Sequence, residues 1–207
     1  MPVKVKICGI TNLPDARVAA EAGADVLGFV FYERSPRFVS LEAAAEIIRE
    51  LPPFMIKAGV FVNAPEDFVL RAVRDCGLNL LQFHGDETPD YCLQFGLMSM
   101  KAFRVRDASS LEAVRSYPTD AWLLDAYNPD KLGGTGEAFN WDLAREAQTW
   151  GRPIFLAGGL NPENAAEAIR RARPYALDVS SGVEASPGRK DHAKVRAFIE
   201  AVRGAGD

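Results

Sequence analysis

Val3-Lys4-Val5-Lys6-Ile7-Cys8-Gly9 opens the chain with a strict apolar–polar alternation that stops at a glycine. A period of two marks a β-strand, and the glycine marks a turn at its carboxyl end. Asn12-Leu13-Pro14-Asp15 comes next and reads as a helix start with proline in its first turn, continued by Ala16 to Ala22 and ended at Gly23. The following run, Asp25-Val26-Leu27-Gly28-Phe29-Val30-Phe31, is apolar without alternation, as expected of a strand covered on both faces. A polar loop through Arg37 then leads to a helix over Leu41 to Leu51, so one strand–helix unit is followed by another.

The repetition continues to the end of the chain. Strands at 56–61, 78–83, 98–103, 121–125, 153–156 and 175–179 are followed in turn by helices at 65–75, after Thr88-Pro89, at 109–116, around 141–149, from Asn161-Pro162-Glu163 and at 191–202. Asn161 reads as an N-cap with Pro162 at the first helical position. Strict alternation implies a parallel sheet with right-handed crossovers, and about eight units close into an α/β (β/α)8 TIM barrel in preference to an open doubly wound sheet. With 48% hydrophobic residues, no linker and no low-complexity segment, residues 1–207 are expected to form a single barrel domain.

A net charge of -4 argues against nucleic acid as a partner, because a binder of the phosphate backbone carries a basic surface. Apolar runs break well before the ~20 residues of a membrane helix and no signal-peptide pattern is present, so a cytoplasmic protein is expected. Cys8, Cys76 and Cys92 form no CxxC pair, which suggests neither a disulfide framework nor a zinc knuckle, and with two histidines no metal site is expected. Cys76 and Cys92 fall in helical stretches and read as buried thiols.

Barrel sites lie at the carboxyl ends of the strands, where Cys8, Arg37, His84, Asp125 and Asp178 face one mouth. Gly133-Gly134-Thr135-Gly136, Ala157-Gly158-Gly159 and Ser180-Ser181-Gly182 follow the last three strands. Their free backbone N–H groups predict a cradle for one phosphate. Asp125 ends an apolar strand and reads either as a general acid raised by burial or as a loop cap. Cys8 reads as a small core residue, a nucleophile or a proton acceptor. Lys6, on the same strand face, either favours the thiolate or pairs with a carboxylate lower in the barrel. Arg37 offers a fork for a substrate carboxylate or is simply solvated, while His84 and Asp178 either orient substrate or satisfy polar groups at the rim.

Lys6-Ile7-Cys8-Gly9-Ile10-Thr11, Ser35-Pro36-Arg37, Gln82-Phe83-His84-Gly85, Leu124-Asp125, Gly133 to Gly136, Ala157-Gly158-Gly159-Leu160-Asn161-Pro162-Glu163-Asn164 and Asp178-Val179-Ser180-Ser181-Gly182-Val183-Glu184 run in one order over nearly the whole chain. Together they resemble the phosphoribosylanthranilate isomerase family of tryptophan biosynthesis. The resemblance implies a phosphorylated small-molecule substrate and an Amadori rearrangement without cofactor or metal. It further implies Asp125 as proton donor to the furanose oxygen, Cys8 as the base at C2′, Arg37 on the anthranilate carboxylate and the glycine loops on the phosphate. The sugar isomerase of histidine biosynthesis is the nearest enzymatic rival, but its substrate carries two phosphates and its acid and base are both carboxylates. A barrel retained for ligand binding is the non-catalytic alternative. Either a monomer or a homodimer fits the sequence.

Overall fold

Eight parallel strands pair in chain order and the eighth returns to the first, closing a barrel: β1 (Lys4–Cys8), β2 (Val26–Val30), β3 (Ile56–Phe61), β4 (Leu80–Phe83), β5 (Met98–Arg104), β6 (Ala121–Asp125), β7 (Ile154–Ala157) and β8 (Ala176–Val179). The computed structural model describes residues 2–105, 107–125 and 141–205, without the side chain of Asp142. The helices that follow the strands are α1 (Leu13–Glu21), α2 (Leu41–Arg49), α3 (Glu66–Cys76), α4 (Pro89–Leu93), α5 (Ala108–Leu111), α6 (Trp141–Gln148), α7 (Ala165–Ala172) and α8 (His192–Gly204). The (β/α)8 expectation is met. None of the described helices is long and apolar enough to cross a membrane.

Strand alternation produces two hydrophobic layers. Val26, Ala58, Leu80, Met100, Leu123 and Phe155 point into the barrel and form one cluster. Val5, Ile7, Leu27, Phe29, Leu81 and Leu156 point outward and pack in a larger cluster with the helices. Each large aliphatic or aromatic side chain so buried contributes roughly 1.5–3 kcal/mol, which makes the outer layer the main source of stability. Cys76 and Cys92 are buried in this layer, on α3 and α4. At the amino end of the barrel, Asp25 accepts from Lys4 Nζ at 3.0 Å, from Val5 N at 2.8 Å and from Arg203 Nη2 at 2.9 Å, tying β1, β2 and α8 together.

The start of α1 is as expected, with Asn12 Oδ1 accepting from the N–H of Asp15 at 3.0 Å. Two local readings are corrected and one element is added. The helix expected at 109–116 divides into the short α5 and a 3-10 turn over Glu112–Ser116, opened by a capping box between Asp107 and Ser110. α7 begins at Ala165 and not at Pro162, because Asn161 Oδ1 accepts from both Glu163 N and Asn164 N at 3.0 Å and closes a side-chain turn ahead of the helix. After β8 a small antiparallel hairpin, β9 (Glu184–Ser186) and β10 (Arg189–Lys190), precedes α8.

Candidate active site

At the carboxyl ends of the strands a cavity of about 540 Å³ is lined by all five side chains expected at the mouth, Cys8, Arg37, His84, Asp125 and Asp178 among them. Gly158, Gly159, Ser180 and Ser181 line the same cavity. Gly158 and Gly159 both hold positive φ, 88° and 64°, which leaves the backbone of this loop bare on the cavity side. Gly182 lies behind the wall, where an added Cβ would sit 1.8 Å from the carbonyl oxygen of Leu160, so only glycine lets the eighth loop close on the seventh. Gly134, Thr135 and Gly136 lie outside the described residues.

Cys8 is the last residue of β1 and is partly exposed to the cavity. Beneath it Lys6 is fully buried and pairs with Asp178 Oδ2 at 2.9 Å, across the β1–β8 seam where the two residues are in register. Lys6 is therefore the partner of a carboxylate. It also acts on the thiol: burial pushes Cys8 up, Lys6 pulls it down, and Asp178 opposes the lysine. The net direction is upward, so the expected thiolate-favouring effect of Lys6 is present but outweighed by burial. Lys6 itself is raised: burial lowers it, and the combined pull of Asp178 and Cys8 exceeds that. Gly28 on β2 makes room for this arrangement, since a Cβ there would lie 2.8 Å from Cys8 Sγ and 3.2 Å from Lys6 Nζ. The second oxygen of Asp178, Oδ1, is buried without a hydrogen-bond partner among the described residues.

Across the mouth, Asp125 ends β6 with its side chain 21% exposed, and His84 Nε2 stands 3.7 Å from its Oδ2. Its polar neighbour is an imidazole, and Leu123, two residues earlier on the same strand face, lines the cavity beside it, while Leu124 points outward into the helix layer. Gln82 Nε2 lies 3.2 Å from His84 Nδ1. With the amide nitrogen donating to Nδ1, the ring's own N–H sits on Nε2, toward Asp125.

Arg37 is not simply solvated. Its Nε donates to Glu184 Oε1 at 2.8 Å and its Nη2 to Glu184 Oε2 at 2.7 Å, a two-point pair that leaves the Nη1–Nη2 edge of the fork without a partner among the described residues. The stem of Arg37 lies over Gly9, where an added Cβ would meet Arg37 Cδ at 2.6 Å. Lys190 on β10 reaches the same carboxylate, Nζ to Oε1 at 3.0 Å. Glu184, Lys190 and Gln82 were not foreseen as parts of the site. Gln82 carried a signal, being two residues before His84 and so on the same strand face.

The mouth therefore holds a thiol, a carboxyl group beside an imidazole, a braced guanidinium, one bare-backbone glycine loop and one serine loop, a set suited to moving protons on a substrate with anionic groups. Comparison with known proteins points the same way. A family model described as N-(5′-phosphoribosyl)anthranilate (PRA) isomerase matches residues 5–201. An N-(5′-phosphoribosyl)anthranilate isomerase of Citrifermentans bemidjiense is 61% identical over 196 residues, covering 95% of each chain. Among solved structures, a phosphoribosyl anthranilate isomerase in complex with reduced 1-(o-carboxyphenylamino)-1-deoxyribulose 5-phosphate superposes with a TM-score of 0.89 at 42% identity, covering 98% of this chain and 99% of that one. Monomers generated from the dimeric phosphoribosylanthranilate isomerase of Thermotoga maritima superpose with a TM-score of 0.88 at 41% identity, with the same coverage.

Proposed function

Because this chain belongs to the N-(5′-phosphoribosyl)anthranilate isomerase family, we propose that the cavity above β1–β8 is where it works, with Asp125 as general acid and Cys8 as general base. The activity is the Amadori rearrangement of N-(5-phosphoribosyl)anthranilate to 1-(2-carboxyphenylamino)-1-deoxyribulose 5-phosphate in tryptophan biosynthesis. Asp125 gives a proton to the furanose oxygen as the C1′–O bond breaks, leaving an iminium ion. Cys8 then takes the proton from C2′, whose acidity the iminium raises, and the resulting enolamine tautomerises to the ketone. Arg37 holds the anthranilate carboxylate with its open edge, and the loops at Gly158-Gly159 and Ser180 to Gly182 receive the phosphate on their backbone N–H groups. Asp178 Oδ1 accepts a hydrogen bond from a sugar hydroxyl, and His84 steadies the Asp125 carboxyl. Nothing leaves the substrate: one C–O bond opens and protons are relocated, within one barrel domain, and the reaction belongs to the cytoplasm.

One observation carries this reading: a thiol and a carboxyl group, on strands three places apart around the barrel, line one cavity with a guanidinium held in place by a buried glutamate. The test follows the loss of substrate fluorescence in purified variants. Cys8→Ala and Asp125→Asn should each lower turnover by about 10²- to 10⁴-fold with the fold intact. Near-wild-type turnover in either variant removes that residue from its role.

The other end of the barrel bears on assembly. A second cavity of about 540 Å³ opens among the amino-terminal strand ends, with Val26, Leu80 and Phe155 in its wall. Phe54, Met98 and Tyr175 stand around it, 97%, 48% and 43% exposed. A largely apolar hollow, with Lys4, Asp25 and Asp120 also in its lining and exposed Phe54, Met98 and Tyr175 around it, suits a second copy of the same chain, and we infer a homodimer joined at this base, in keeping with the dimeric relative of Thermotoga maritima.

A further inference from the structure

The Arg37–Glu184 pair poses an electrostatic problem. A guanidinium closed in a two-point pair with a carboxylate is neutral as a unit and attracts a second carboxylate only weakly, yet Arg37 lines the cavity and its outer edge is the part offered to the substrate. Lys190 resolves it. Its side chain is fully buried, and Nζ donates to Glu184 Oε1 at 3.0 Å and to the carbonyl oxygen of Ser180 at 3.1 Å. The three charges, two positive and one negative, leave the cluster with a single positive charge, and Arg37 is the member that faces the cavity.

Glu184 and Lys190 are brought to this place by the hairpin after β8. Gly188 at its turn holds φ 78° against the carbonyl oxygen of Pro36, where a Cβ would come within 2.8 Å, and Thr11 Oγ1 donates to the Gly188 carbonyl at 2.5 Å. The backbone N–H of Lys190 is held by Asp15 Oδ2 at 2.7 Å. The hairpin thus sets its buried carboxylate behind Arg37 and its buried ammonium behind the carboxylate.

We propose that Lys190 is a positioning residue that offsets the charge of Glu184, so that Arg37 meets the substrate carboxylate both fixed in direction and carrying an uncompensated positive charge. The inference rests on Arg37 holding that carboxylate. It assigns the eighth loop two duties, the phosphate through its backbone and the carboxylate through these two side chains.

The test compares two ligands in a binding titration, reduced 1-(o-carboxyphenylamino)-1-deoxyribulose 5-phosphate and the analogue that lacks the ring carboxylate. The wild-type chain is expected to prefer the first. In Lys190→Met that preference should fall by roughly tenfold, the order expected for one unit charge a few ångströms behind the guanidinium, while the carboxylate-free analogue binds as before. The double variant Glu184→Gln with Lys190→Met returns the cluster to one positive charge, and its preference should recover to within about threefold of wild type. A bracing role alone predicts the opposite order, with the double variant worse than the single. Should Lys190→Met fail to fold, Lys190→Gln, which is uncharged and keeps a hydrogen-bond donor toward Glu184, takes its place in the same comparison and is read in the same way. An unchanged preference in Lys190→Met, with the wild-type preference present, overturns the proposal alone. No preference in the wild type overturns it together with the role of Arg37.

Discussion

Gly28→Ala tests whether the position of the Cys8 thiol is what the mouth is built to hold. The new Cβ would lie 2.8 Å from Sγ, 3.1 Å from the Cys8 Cα and 3.2 Å from Lys6 Nζ. Non-bonded atoms rest at about 3.5–4.0 Å, so the thiol must retreat by roughly 1 Å. The Cα cannot, because Cys8 and Gly28 are paired in the β1–β2 ladder. A misplacement of about 1 Å at a reacting group costs about 10²-fold, or roughly 2.7 kcal/mol of barrier. Gly59→Ala is the control. Its Cβ would meet Leu78 Cδ1 at 2.6 Å and Phe61 Cε2 at 2.8 Å, which are flexible side chains in the outer layer. That variant should lose about 1–3 kcal/mol of stability from overpacking while turnover below its melting range stays near wild type. Steady-state kinetics and urea unfolding on the two variants together decide the matter. A Gly28→Ala enzyme with wild-type kcat, or a Gly59→Ala enzyme with an equal loss of kcat, refutes the reasoning.

Three further outcomes are expected. Since burial holds the Cys8 thiol above its ordinary value, kcat/KM should rise with pH as the thiolate forms, and alkylation of Cys8 should rise in parallel. Lys6→Met should move that rise to higher pH and Asp178→Asn to lower pH; movement of both in one direction would contradict the opposed effects of the pair. At the base, burial pushes the Asp25 carboxyl up, but the Val5 N–H, Lys4 and Arg203 outweigh it and hold the group below its usual range. Its contribution is therefore complete above the unfolded value of about 3.9 and is lost as pH falls through the folded one. Asp25→Ala should cost about 1.5–3 kcal/mol in urea unfolding at pH 7, and the difference from wild type should shrink in acid; a gap constant down to pH values of about 2.5 rules the linkage out. Phe54→Glu should leave the chain folded and convert a dimer to a monomer in light scattering, and an unchanged mass removes the base as the interface.

The fold was readable because a parallel barrel writes itself locally. Each strand is a short apolar run ending in a turn, each helix carries its own start signal, and eight repeats leave few architectures. What was misread involved local ambiguity. Asn161-Pro162 has the chemistry of a helix start, but the same side-chain oxygen also closes a turn, and here the turn wins. The hairpin at 184–190 has strands too short and polar to register, although Pro187-Gly188 was a turn signal. The partners within the site were out of reach for a different reason. Lys6 and Asp178 are 172 positions apart and Arg37 and Glu184 are 147 apart. Alternation placed Lys6 and Cys8 on one face correctly, but which carboxylate meets the lysine depends on the register across the seam where the barrel closes.

That seam explains how two ion pairs in one mouth serve different ends. Lys6 and Asp178 form a buried one-to-one pair, so the floor beneath the thiol carries no net charge and neither draws the substrate's anions down onto Cys8 nor forces the thiol to ionise at rest. The rim cluster of Arg37, Glu184 and Lys190 carries one charge in excess, and on the proposed reading the loops at Gly158-Gly159 and Ser180 to Gly182 offer N–H groups to the phosphate. The two anionic ends of the substrate are then drawn to the rim at separate points, and the sugar carbon between them hangs toward a neutral floor. Cys8 has to lose its own proton to solvent before it can take the one at C2′, and the positive iminium opposite it favours the thiolate at that stage. Replacing Asp178 with asparagine would break this division by leaving a positive floor, which is why its effect on the thiol and its effect on substrate affinity should appear together.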